Sequence, residues 1–89
     1  MKKRLKKINI LDFPKNISKN ERKVEAILFS AVEPLDIETI EKRLPNEKNI
    51  SKILEKLQYH YKSRGINLVC VRGKWSFRTS EDLSKTMAL

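Results

Sequence analysis

The stretch GINLVCVRGKWSFRTS, residues 65–80, decides how the chain is read. Val69-Cys70-Val71 and Trp75-Ser76-Phe77 are short runs of β-branched and aromatic residues on either side of a basic tip, Arg72-Gly73-Lys74. Two such runs separated by a glycine-bearing tip read as a β-hairpin. With Gly73-Lys74 as the central pair, the glycine-first preference of a type II′ turn is met. Arg72 is then expected opposite Trp75, Cys70 opposite Phe77 and Leu68 opposite Thr79. Cross-strand partners share a face, so Ile66, Leu68, Cys70, Trp75 and Phe77 are expected together against a core. Val69 and Val71 fall on the other face with Asn67, Ser76 and Arg78, which leaves that face partly apolar.

Three helical patterns precede the hairpin. The first covers about residues 20–32, with Ser18 or Asn20 as its cap and Glu21 at the positive end of its dipole. Val24, Ile27, Leu28 and Ala31 make one buried stripe. Ala26, Phe29 and Val32 add apolar surface outside it, more than one neighbour can cover, so this helix is either central or shared with a second subunit. Pro34 ends it. Asp36 is placed to cap a short second helix, residues 37–44, with Leu35 as a hydrophobic staple. Ile37, Ile40 and Leu44 share a face, and Pro45 stops the helix. Residues 45–49, PNEKN, read as the turn of a helix-turn-helix. A third helix over residues 50–63 carries Ile50, Ile53, Leu54, Leu57 and Tyr61 inward and Lys52, Glu55, Lys56, Tyr59 and Lys62 outward. Gly65 is placed to end it in a left-handed conformation. After the hairpin, Ser80 caps a last short helix over residues 81–88.

Helix-turn-helix followed directly by a hairpin is the order of a winged helix. The expected fold class is therefore mainly α with a small β-hairpin, α+β, in the order α-α-α-β-β-α. The domain is expected to span residues 20–89 behind a basic, flexible N-terminal tail, residues 1–19, in which Ile8-Asn9-Ile10-Leu11 is the piece able to dock.

The chain of 89 residues has room for one small domain, and a core this size favours an oligomer. The opening MKKRLKK imitates the charged start of a signal peptide, but no apolar segment follows. No run approaches the ~18 apolar residues of a membrane span. With one cysteine, Cys70, an internal disulfide is impossible. These features fit a cytoplasmic protein.

The formal charge of +9 suggests a nucleic-acid partner until its distribution is read. Residues 1–23 hold nine Lys/Arg against two Asp/Glu, and residues 24–89 hold eleven against nine. The excess belongs to the tail, which is able to touch phosphates weakly and without sequence preference or to remain a solvated leader.

The chemical inventory is thin. His60 is the single histidine, with no partner at ligand spacing, and reads as surface or boundary packing. Cys70, alternating with valines, reads as a small buried hydrophobe. Two glycines cannot build a phosphate-cradling loop. No catalytic constellation, metal site or cofactor motif is present in the pattern, which leaves binding. A DNA-reading helix-turn-helix would use the exposed start of its second helix. Here that means Lys52 and Lys56, with Glu55 between them repelling phosphate, and Arg72, Lys74 and Arg78 from the hairpin. Each of these is equally read as a solvated side chain.

Three blocks carry a family resemblance. AILFSAVEPLDIETIEKRL, residues 26–44, is similar to the opening of segregation and condensation protein B (ScpB), where a helix ending in EPL leads into a short helix. LEKLQYHYKSRGINL, residues 54–68, resembles that family's third helix with its following RGI. GINLVCVRGKWSFRTSEDL, residues 65–83, resembles its hairpin. The match runs over residues 22–83. It implies a non-enzymatic chromosome condensation and segregation subunit, homodimeric, associated with the kleisin ScpA and the SMC ATPase, and hence cytoplasmic and nucleoid-associated. Family members carry two winged helices, and the second is not expected within residues 1–89. The tip also differs, with Gly73-Lys74 where the family often has two glycines. On this reading Ala26, Phe29 and Val32 are the first candidates for a dimer or partner surface, and Val69 and Val71 the next. The alternative is a winged-helix DNA-binding regulator using Lys52, Lys56, Arg72, Lys74 and Arg78.

Overall fold

A computed structural model describes residues 17–87, so the basic leader, residues 1–16, and Ala88 and Leu89 lie outside the described residues. The elements in chain order are α1 (Lys19–Ser30), β1 (Leu35–Asp36), α2 (Ile37–Arg43), α3 (Ile50–Tyr61), β2 (Ile66–Val71), β3 (Lys74–Thr79), a 3-10 turn (Glu81–Leu83) and α4 (Ser84–Met87). The helices α1, α2 and α3 and a three-stranded antiparallel sheet make the α+β winged-helix arrangement that the element order predicts, with α4 after the sheet.

Ser18 starts α1 through a capping box. Its Oγ accepts from the Glu21 amide at 3.1 Å, and Glu21 Oε1 accepts from the Ser18 amide at 3.0 Å. The second oxygen, Glu21 Oε2, is buried and lies 3.4 Å from His60 Nε2 of α3, without an aligned hydrogen bond. The cap residue of one helix is thereby tied to another helix. His60 is boundary packing, as the sequence suggests, but against a carboxylate. The helix ends at Ser30, whose Oγ donates back to the Ala26 carbonyl, so Val32 falls in the loop that follows.

Asp36 caps α2, accepting the Thr39 amide at 2.9 Å. The Thr39 side chain and amide hold its carboxyl below the usual carboxylate range, and Lys74 and Lys42 act in the same direction. The turn before α3 is fastened from outside: Lys23 Nζ of α1 lies 3.0 Å from a largely buried Glu47 carboxylate. Asn49 enters α3 at φ 61, left-handed, a conformation that asparagine tolerates better than most residues.

The inner stripe of α3 is as expected. Ile50, Ile53, Leu54 and Leu57 are buried with Val24 and Leu28 of α1, Ile40 of α2 and Leu68 of β2. Leu35, Ile37, Leu44, Tyr61, Trp75 and Phe77 pack around this cluster. α3 ends at Tyr61, earlier than residue 63, and not through Gly65, which has no positive φ. Asn67 closes it instead: its Nδ2 donates to the Tyr61 carbonyl at 2.8 Å. Gln58 Nε2 donates to the Leu68 carbonyl at 3.1 Å and clips α3 to β2.

The hairpin register differs from the expectation by two residues. Leu68 faces Phe77, Cys70 faces Trp75 and Val71 faces Lys74. The central pair is Arg72-Gly73, at φ 55 and φ 78, so the turn is of the I′ kind and glycine stands second. A two-residue slip keeps each side chain on its face, so the grouping of Leu68, Trp75 and Phe77 survives. It sets Leu68 against an aromatic ring over the core rather than against Thr79. Ile66 and Cys70 share that face but overhang the core and are exposed, so Cys70 is not the buried hydrophobe that alternation suggests. β1 was not foreseen. Its two residues pair with β3, Leu35 opposite Trp75 and Asp36 opposite Lys74, and turn the hairpin into a sheet of order β1-β3-β2. The terminal helix is a 3-10 turn plus α4, and its start uses Ser80, whose carbonyl accepts the Leu83 amide.

Arg72 holds a conformation that costs a non-glycine L-residue about 1–2 kcal/mol, less for asparagine. Arg72→Asn is expected to raise stability by about 0.5 kcal/mol or more in urea denaturation. A loss of stability would mean the turn is not I′.

Candidate functional site: an apolar trough along the first helix

α1 is two-faced. Glu21, Val24 and Leu28 point into the core, while the opposite side carries Ala26 and Phe29, followed by Val32 in the loop. Phe29 is 77% exposed and Val32 99% exposed. Sequence reasoning placed these three outside the buried stripe, and the structure leaves them there. They do not stand as isolated surface residues. Ala26 and Phe29 form one wall of a groove of about 330 Å³ whose other wall is Tyr61, Ile66 and Phe77, with Glu25 at its end. A second groove, of about 440 Å³, continues past Phe29 to Val32, Glu33 and Pro34 and again meets Ile66 and Phe77. Phe29, Ile66 and Phe77 belong to both, so the two form one trough between α1 and the sheet, with an acidic residue at each end.

The trough wall is stiffened by an aromatic stack. The Tyr61 and Phe77 rings lie 4.8 Å apart, tilted at 55°, and the Arg64 guanidinium sits 5.3 Å from the Tyr61 ring centre. The Tyr61 hydroxyl donates to Glu25 of α1. Desolvation, with the neighbouring carboxylate, pushes the Tyr61 phenol up to about 12. The hydroxyl therefore stays protonated and fixes the carboxylate at the mouth of the groove.

Val69 and Val71 lie on the hairpin face opposite Leu68 and Phe77, half-buried and exposed respectively, and line neither part of the trough. The structure thus unites Ala26, Phe29 and Val32 and keeps the two valines apart from them. Ile66 and Phe77 were missed as surface because alternation assigned them to the core face, and Tyr61 because helical spacing put it in the inner stripe of α3. The overhang of Ile66 beyond the core follows from sheet geometry, which alternation alone does not carry.

The basic candidates are all exposed: Lys52 and Lys56 on α3 with exposed Glu55 between them, Arg72 at the turn, and Lys74 and Arg78 on β3. Lys74 stands opposite Asp36 and shares a polar cleft with Glu33, Asp36 and Arg43. Arg78 borders the trough near Glu33. Among the described residues no group of three or more His, Cys, Asp or Glu side chains is placed to hold a metal ion, and no helix is long and apolar enough to cross a membrane.

Residues 22–88 match the family described as Segregation and condensation complex subunit ScpB. The chain belongs to the ScpB family. No curated protein matches it. A solved structure described as a conserved hypothetical protein from Chlorobium tepidum superposes with a TM-score of 0.64 at 20% identity. The superposition takes in 74% of this chain and 44% of that one, so the ScpB-family chain spans less than half the length of the structure it resembles. At that identity the likeness is one of fold.

A phenol with a folded-state value near 12 against 10.0 unfolded binds its proton more tightly in the native state. Its stabilising contribution is complete below pH 10 and is lost as pH rises toward 12. Equilibrium unfolding over pH 10–12 is expected to show a steeper fall in stability for the parent chain than for Tyr61→Phe; equal slopes would remove the Tyr61–Glu25 contact from the account.

Proposed function

We propose that this ScpB-family chain is a non-enzymatic chromosome condensation and segregation subunit, a winged-helix module that pairs with a second copy and associates with the kleisin ScpA and the SMC ATPase. The observation that carries the reading is the bare outer face of α1, with Phe29 and Val32 almost wholly exposed beside an apolar trough. Contiguous apolar surface of this kind marks a protein-binding site more often than it marks ordinary monomer surface. The charge distribution supports the same reading. Residues 17–87 carry fourteen basic against ten acidic side chains, a modest excess in which Glu55 interrupts Lys52 and Lys56 and Asp36 faces Lys74, unlike the unbroken cationic face of a phosphate-binding domain. The family placement supplies the chromosome-segregation context. Ala26, Phe29 and Val32 are the proposed self-association surface; Val69 and Val71, on the other face of the hairpin, are a separate surface for a partner. The site is cytoplasmic, on the nucleoid, in this reading.

Two measurements test it. Sizing with light scattering at high micromolar concentration is expected to give twice the chain mass. Phe29→Ser should weaken self-association about tenfold or more, as central aromatic anchors do. A chain that stays monomeric at that concentration overturns the dimer.

The DNA-binding alternative relies on Lys52, Lys56, Arg72, Lys74 and Arg78. In a titration with duplex DNA at two salt concentrations, any binding is expected to be weak, steeply salt-dependent and lost on charge reversal of the leader lysines, Lys2, Lys3, Lys6 and Lys7. Binding that survives those changes and falls with Lys52→Ala and Arg72→Ala would establish the regulator instead.

A further inference from the structure

We propose that the trough accepts an extended segment of a protein partner as a fourth strand, added to the open edge of β3. The inference rests on the protein-binding reading above and names the form of partner that the trough fits.

The open edge follows from the register. In a hairpin with a two-residue turn, the pair flanking the turn exchanges both backbone hydrogen bonds, and such pairs recur at every second residue. Val71 and Lys74 flank Arg72-Gly73, so Lys74, Ser76 and Arg78 bond to β2. The Ser80 amide continues the series, donating to the Gly65 carbonyl at 2.7 Å. Trp75, Phe77 and Thr79 therefore turn their amides and carbonyls to the other side. β1 meets Trp75 there and goes no further along β3, because the chain bends at Val32 and Glu33 and β1 begins only at Leu35. Among the described residues no strand pairs with Phe77 or Thr79 along that edge.

This edge lies in the trough. Ser76, Phe77 and Arg78 together border the part of about 440 Å³. Successive side chains of a strand point to opposite faces, so three consecutive residues border one groove through the edge of the strand. Phe29, Val32 and Glu33 stand across from them. Backbone donors and acceptors beside an apolar wall favour a partner that pairs with them. A strand in line with β1 does so while its side chains cover Phe29.

The geometry also selects the occupant. A strand antiparallel to β3, as β1 is, sets successive residues opposite Thr79, Arg78, Phe77 and Ser76. Cross-strand neighbours share a face. The residues opposite Thr79 and Phe77 point with the Phe77 ring toward α1 and are best apolar. The residue opposite Arg78 points to the outer face of the sheet, outside the trough, where a carboxylate suits the guanidinium. The segment leaves past Ser76 toward Glu33, which suits a lysine or arginine. A second copy is a poor donor of such a strand. Among its described residues the outer strand is β2, whose Leu68 carbonyl already accepts from Gln58. β2 against the β3 of another copy is moreover a head-to-tail contact, which builds rings or open filaments rather than a closed pair.

The probe is a synthetic hexapeptide, Thr-Val-Glu-Val-Thr-Lys, blocked at both ends. It is titrated into the full chain up to about 5 mM, a range that reveals millimolar contacts. The amide resonances of Phe77 and Thr79 are expected to shift and their hydrogen exchange to slow, with the Leu54 methyls unmoved. N-methylating the second valine keeps its side chain and removes the proton offered to the Phe77 carbonyl, and affinity is expected to fall about tenfold. Phe29→Ser should weaken binding by a similar factor through the lost side-chain contact. Equal binding of the two peptides, or no change at Phe77 and Thr79, overturns strand addition. Slow exchange at those two amides before any peptide is added also overturns it. Protection that persists on dilution gives the edge to the chain itself, and protection that grows with concentration gives it to a second copy. A paired chain that ignores the peptide leaves the assembly reading standing, and a monomer that binds it defeats only the pairing of copies.

Discussion

α1, α2 and β2 are all placed by the apolar stripe of α3. Ile50, Ile53, Leu54 and Leu57 share one buried cluster with Val24 and Leu28 of α1, Ile40 of α2 and Leu68 of β2. Burying such a side chain contributes about 1.5–3 kcal/mol, and a domain of this size has few of them to use. The polar contacts do a different job. Glu21 against His60, Gln58 on the Leu68 carbonyl, Asn67 across the end of α3 and Lys23 with Glu47 each join two segments that the stripe has already brought together. They set angle and register more than they add energy: the half-exposed Lys23–Glu47 pair contributes little, and burying Glu21 beside His60 carries a desolvation cost.

That dependence on one stripe explains why α1 has a bare side. α1 needs only Glu21, Val24 and Leu28 to dock on α3, a row spaced at i, i+3 and i+7. Nothing in the fold requires Phe29 at the next turn's outer position, and the domain's own packing gives it no cover. A large aromatic side chain left 77% exposed is an expense unless something else meets it. The trough is the geometric outcome: α1 touches β3, and beside that contact the groove is lined by Ala26 and Phe29 from α1 and by Tyr61, Ile66 and Phe77 from α3 and the sheet.

Helices were legible because their signals are local. Ser18 as one of two cap candidates, Asp36 before α2 and the Ile50–Leu57 spacing are each read within a few neighbouring residues, and each holds in the structure, where Glu21 proves to close a capping box on Ser18 as well as to face the dipole. The hairpin was legible in existence and in facing but not in register. Arg72-Gly73 and Gly73-Lys74 both offer a glycine to the turn, and choosing between them requires knowing that Leu68 must meet Phe77 over the core. β1 was illegible because a two-residue strand has no period to detect. Leu35 reads as a staple, and only the approach of β3 makes it a strand. The candidate site was half legible for the same reason. Its α1 side, Ala26 and Phe29, shows as an excess on a helical wheel. Its sheet side, Ile66 and Phe77, depends on how far the hairpin overhangs the helices, a tertiary quantity.

The placement of charge decides what kind of partner such a surface suits. A phosphate backbone is met by an unbroken cationic face, and here Glu55 interrupts Lys52 and Lys56 while Asp36 faces Lys74. Counterion release from so divided a surface is small. An apolar trough with Glu25 at one end and Glu33 at the other discriminates differently. It rewards a chain segment with hydrophobic side chains and a cation near its end, and it disfavours an acidic one by repulsion and by desolvation of the carboxylates. In the proposed assembly, affinity comes from Phe29 and its apolar neighbours, and orientation from the two acids. Any occupant of the trough must satisfy that one pattern, and two occupants cannot both cover Phe29.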